Sequence, residues 1–282
     1  MILTPALEAA NLGALDQEFK DRIFDVAEKA FEFYEPYFDK NSKIYRFPKG
    51  IPFWADGLWM PLNFQSSFGA MLIELYKYRN NEKYKNRIDE IYNKLSSEFL
   101  SADKNDSIIW NYWPKEYFEG WSEADDLSEN TPSMAKEITP KVEDVSHASL
   151  SVLFLMKYKE YFSETSFIEG LGHTFEALTA GKNKFSGYMD GSLLEGHKLL
   201  GHTNYYNLPS FGWIYLYPES GILDSLYPIW RTTIPAGYLN SLTSFNTNQV
   251  LQIEAINYSG RGDRRTRQIT TENLFEIMRD PK

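Results

Sequence analysis

The sequence predicts an all-α protein: an (α/α) toroid or incomplete barrel of helical hairpins, with apolar inner helices and amphipathic outer ones. Three observations carry that expectation. Strand signals are scarce across the first two thirds of the 282 residues. Apolar positions in that stretch recur at three- and four-residue steps, the period of one helix face. The chain also repeats a theme: a loop rich in Trp, Tyr, Asp and Gly, then an apolar helix, then an amphipathic one. In such an arrangement the loops entering the inner helices gather at one mouth.

Taken in order, residues 15–37 place Phe19, Ile23, Val26, Ala27, Ala30, Phe31 and Tyr34 on one face of an amphipathic helix. Turn residues follow (Asp39, Asn41, Pro48, Gly50, Pro52). Residues 62–78 are apolar on most sides and read as a buried helix, while 84–100 are amphipathic again. The stretch 101–142, with WNYWPKEYFEGW, an acidic run and prolines at 114, 132 and 140, is a long loop, and loops of that length are often functional. An apolar helix over 145–161 is partnered by 166–180, which Gly181 ends as a C-cap glycine. A glycine-punctuated loop, 181–203, leads to a third expected pair in NYYNLPSFGWIYLYPESG and LDSLYPIWRTT. Two regions result: a toroid domain over 1–243, and an irregular tail over 244–282 that packs on it. The tail holds Arg261, Arg264, Arg265 and Arg267 before a short C-terminal helix.

Composition narrows the function. A net charge of −10 without a basic stripe argues against a protein that tracks nucleic-acid phosphates. The absence of cysteine excludes disulfides, thiolate metal sites and Cys nucleophiles. No apolar run approaches about 18 residues, so no membrane span is expected. The first residues lack the basic region and apolar core of a signal peptide. The protein is therefore expected in the periplasm or outside the cell if a leader has been removed, and in the cytoplasm otherwise. The four histidines (147, 173, 197, 202) lack ligand spacing, and no HExxH or EF-hand loop is present, so no metal is expected. No GxGxxG, GKS/T or GxSxG motif appears, and no cofactor is expected. Aromatic residues make up 16% of the chain, which suits a large helical core or a groove for ligands with flat, partly apolar faces, such as sugars.

Three segments standing before inner helices mix aromatics with polar groups: PFWADGLWMPLN, KVEDVSHASL and GHTNYYNLPSFGW. A helix N-terminus there offers unpaired N–H groups to acids and anions. Asp144 or Ser146 reads as an N-cap. Glu143 and His147, four apart, are expected to share one face, the carboxylate orienting the imidazole and raising its pKa so that His147 handles a proton. Asp56, between Trp54 and Trp59, is expected in a partly apolar pocket that suits a general acid; the alternative is a turn aspartate before Gly57. Tyr205 or Tyr206, placed by His202 and Asn204 and helped by Arg231, is a candidate proton shuttle; both tyrosines also read as structural. Trp110 and Trp113 join Trp54 and Trp59 as candidate sugar platforms.

The motifs FWADGLW, NYWP with its acidic loop, EDVSHASL and HTNYYN give residues 15–235 a resemblance to carbohydrate-active enzymes of the (α/α)-toroid fold. The resemblance is to polysaccharide lyases and uronate epimerases in particular. It implies that a histidine or asparagine, with an arginine, neutralises a uronate carboxylate. It also implies that a tyrosine or histidine removes the C5 proton and protonates the leaving oxygen. His147, Asn204, Tyr205 or Tyr206, and Arg231 match those roles. The paired Asn-Asn-His motif of alginate lyases is missing, and the chain is short for a full six-hairpin ring, so an open, partial toroid is expected. The substrate implied is an oligo- or polysaccharide. Two other readings stand beside it. One is a glycoside hydrolase using Asp56 with Glu143 or Asp144, which requires carboxylates about 5–5.5 Å or 6.5–9.5 Å apart. The other is a non-catalytic glycan-binding or polysaccharide-assembly protein.

Overall fold

A computed structural model describes residues 3–50, 55–102, 106–121, 128, 139–179, 187–192 and 213, together with the backbone of 253–258 and 264–269. The described part is mostly helical, with helices α1 (Leu3–Asn11), α2 (Gln17–Tyr34), α3 (Leu62–Arg79), α4 (Glu82–Ser97), α5 (Lys115–Phe118), α6 (Val145–Phe162) and α7 (Ile168–Thr179). None is long and apolar enough to cross a membrane.

Helices α1–α2 and α3–α4 pair as hairpins, α6 packs on α3, and α7 packs on the strand Ser107–Ile109. Asp16 caps α2 by accepting from the Phe19 amide, and a polar flank with buried Phe24, Ala27 and Phe31 makes it an outer helix. Between α3 and α4 the chain reverses at Asn80, held at φ 50°, and Asn81 then caps α4. Asparagine tolerates that left-handed conformation because its short side chain bonds locally. α3 and α6 are buried on most sides.

Helices α1, α3 and α6 run in one direction. Gly69 lies against the Phe154 ring, Lys157 reaches Glu74 at 2.8 Å, and Tyr76 meets Tyr161, so α3 and α6 advance in step. Gly69 permits that approach: a Cβ there would stand 2.5 Å from Phe154 Cε2. At the end of α1, Asn11 donates to the Glu74 backbone oxygen and to its carboxylate. Outer α2 runs the other way, stacking Phe24 on Tyr78 at 4.0 Å and Phe31 on Phe68 at 6.4 Å. At the C-terminal ends of the inner helices, Lys157 pairs with Glu74 and Glu8, tying α1, α3 and α6 together.

Several expectations change. Helix α1 was not anticipated; the Pro5 in its first turn is compatible with a helix start because that N–H needs no intrahelical partner. The long loop 101–142 contains antiparallel strands β3 (Leu100–Ala102) and β4 (Ser107–Ile109), and α5. An earlier hairpin, β1 (Phe38–Asp39) with β2 (Ile44–Tyr45), turns through Lys43 at φ 60°. Within the tail expected to be irregular, β5 (Ile253–Tyr258) pairs antiparallel with β6 (Arg264–Ile269), which carries Arg264, Arg265 and Arg267. Both its alternating pattern and its register place Ala255 opposite Arg267. The expected third helical pair, Arg261 and the C-terminal helix lie outside the described residues.

Candidate active site

The site is built where α3 and α6 begin. An extended segment, 141–144, runs beside residues 110–112: the Tyr112 amide donates to Lys141 O (3.0 Å) and the Glu143 amide to Trp110 O (2.9 Å). On its other side the Met189 amide donates to Glu143 O (3.1 Å) and the Val145 amide to Gly187 O (3.0 Å). Residues 110–112 also reach α3, because the Leu62 amide donates to Tyr112 O (3.1 Å). Trp213, the last residue of the third motif segment, docks on the same place: its indole donates to Val145 O at 2.9 Å.

In an extended chain successive side chains point to opposite sides, so Glu143 and Asp144 part company. Asp144 is the α6 N-cap, accepting from the amides of Ser146 and His147 at 3.0 Å each. Its second oxygen bonds His147 Nδ1. The imidazole is therefore oriented by Asp144, and the expected Glu143–His147 pairing is corrected. The His147 side chain is 47% exposed, and its Nε2 makes no hydrogen bond to a described residue. The Asp144 hydrogen bond raises the His147 pKa above its ordinary value, and burial opposes it. Burial would raise Asp144 in turn, but bonds from His147 and Ser146 bring it below the usual carboxylate range. The edge of Tyr112 meets the His147 ring at 5.2 Å. Burial, then the charges of Glu143 and Asp144, push the Tyr112 phenol up to about 12.

Glu143 turns inward. It is fully buried, accepts from the Trp110 indole, and leaves Oε1 without a partner. Burial raises its pKa well above the ordinary value, against the pull of the Trp110 bond. Asp56 is also fully buried, accepting from the Gly50 amide at 3.1 Å and from Ser128 Oγ. Its carboxylate ties Gly50 to Ser128 from the turn at 55–57, as the turn reading allowed, and is not presented to solvent.

The expected sugar platforms are corrected too. Trp110 has no exposed surface, Trp113 stacks on Tyr117 at 4.0 Å and 10°, and Trp59 lies under the Arg46 guanidinium. All three are buried because large aromatic faces gain most by leaving water. Trp54, His202, Asn204, Tyr205, Tyr206 and Arg231 lie outside the described residues. Tyr112 was missed as a site residue. Its signal was present in WNYWP, where a half-polar aromatic stands between Trp110 and Trp113, both of which go inward. Among the described residues no three His, Asp or Glu side chains gather as a metal site requires. Comparison of the chain with family models, with curated proteins and with solved structures returns no match.

Proposed function

We propose that the protein is an open, partial (α/α) toroid acting on a uronic-acid-containing glycan by lyase-like β-elimination or C5 epimerisation. The observation that carries this reading is the Asp144–His147 pair, with Nε2 open at the N-terminal end of α6. In the proposed step neutral Nε2 takes the C5 proton. The electron pair left on C5 forms the C4–C5 double bond as the C4–O bond breaks, and Asp144 stabilises the imidazolium that results. The Tyr112 phenol, still protonated at neutral pH, gives its proton to the leaving oxygen. Epimerisation differs only in returning a proton to C5 from the opposite face. The N-terminal ends of α3 and α6 favour the substrate's negative charge, and Arg231 is the expected cation.

Burial of both Asp56 and Glu143 weighs against the paired-carboxylate hydrolase, whose acid and base must reach the substrate. Incubation with a panel of uronate polymers tests the reading. Ultraviolet absorbance from unsaturated uronate, or deuterium uptake at C5 from heavy water, is expected and is abolished in His147→Ala. Reducing ends without unsaturation would make the protein a hydrolase. Binding without turnover, undiminished in His147→Ala, would make it a glycan binder.

A further inference from the structure

A second cavity of about 470 Å³ lies beside hairpin β1–β2, lined by Tyr37, Phe38, Asp39, Arg46, Lys49 and Gly57 among others. Two of these residues are cations in a chain of net charge −10. Arg46 is held in place from two directions. It sits across an antiparallel bridge from Trp59, and its guanidinium lies over the indole at 4.5 Å. The guanidinium's one hydrogen bond to a described residue is a long one, 3.5 Å to Asp39 Oδ2. Asp39 spends its other oxygen on its own turn, accepting the Asn41 and Ser42 amides at 2.9 and 3.3 Å. The guanidinium is thus oriented while most of its donors remain unspent, and a planar fork of that kind matches a carboxylate in two-point contact. The Trp59 indole N–H is also buried without an acceptor among the described residues.

We infer that this cavity binds an acidic sugar, Arg46 holding its carboxylate and the aromatic walls its ring. The site stands at the same end of α3 as His147, because Trp59 is three residues before Leu62, whose amide holds Tyr112. The choice of a sugar acid rests on the proposed uronate chemistry; the anion site itself does not.

Binding of D-glucuronate, D-glucose and inorganic phosphate to the full chain, read by ligand-observed NMR, tests it. Glucuronate is expected to bind more tightly than the other two. Arg46→Gln is expected to weaken it about tenfold or more, as loss of a charge-assisted pair does. Arg46→Lys, which keeps the charge without the fork, is expected to fall between and serves if Arg46→Gln does not fold. Equal binding of glucose, or glucuronate affinity unchanged in Arg46→Gln and Arg46→Lys, overturns the inference. Phosphate binding as tight as glucuronate overturns the sugar-acid assignment, leaving an anion hole. The measurement needs no turnover. A protein without lyase or epimerase activity that still binds glucuronate through Arg46 refutes the proposed reaction and keeps this site.

Discussion

The two ends of the inner helices each hold a carboxylate against a cationic or basic group, and they do opposite things with it. At the C-terminal end Lys157 sits between Glu74 and Glu8 with only 2% of its side chain exposed. At the N-terminal end His147 leans on Asp144 with 47% exposed. Burial makes the first pair a structural tie: its charges are costly to separate, and they cross three helices. Exposure makes the second pair available: its proton can leave, and Nε2 has no hydrogen-bond partner among the described residues. The same chemistry therefore serves cohesion in one place and reactivity in the other, and depth below the surface makes the difference.

Breaking the buried end should produce the largest effect. Lys157→Met removes the buried cation shared by Glu8 and Glu74, leaving Glu74 with Lys77 at 3.1 Å, and is expected to cost about 3–5 kcal/mol, read from the midpoint of urea denaturation. A loss below about 1 kcal/mol, the size of an exposed pair, would show that the two ends do not differ as described. Gly69→Ala, midway between them, should cost about 1–3 kcal/mol, because its Cβ would stand 2.5 Å from Phe154 Cε2. Pairing it with Phe154→Leu should recover part of the loss; strict additivity would mean that the two residues do not meet.

At the exposed end the stability change is smaller and pH-dependent. Asp144→Ala removes a helix cap and is expected to cost about 1 kcal/mol. It should also lower the His147 pKa seen by NMR titration. Because the folded-state value is raised above 6.5, the pair's contribution is complete below pH 6.5 and is lost as pH rises through the elevated value. In Asp144→Ala that decline should vanish. A His147 titration that does not move would mean that Asp144 does not hold the ring.

The residues where sequence reading succeeded share a property. The buried helices expected over 62–78 and 145–161 end within one residue of their observed limits, Leu62–Arg79 and Val145–Phe162. A long segment free of proline, apolar on most sides and bounded by Pro61 or Asp144, leaves the chain few other ways to satisfy its backbone. Reading failed where direction mattered. Spacing of four put Glu143 and His147 on one helical face, but Glu143 stands outside α6 in extended chain, where that periodicity does not apply. The tryptophans misled in another way, since a large ring beside polar residues looks the same in sequence whether it faces a groove or a core.

Sequence alone determined the helical character of the described region, the positions of the buried helices α3 and α6 and a cap at Asp144 or Ser146, because periodicity and capping are local properties of the chain. Tertiary structure decided which acid holds His147, that Asp56, Glu143 and three tryptophans go inside, and that Arg46 lies over Trp59. Those outcomes depend on which distant segments meet: residues 110–112 beside 141–144, and Trp59 across from Arg46. Burial and partner choice arise only when such segments come together, and no window of neighbouring residues contains them.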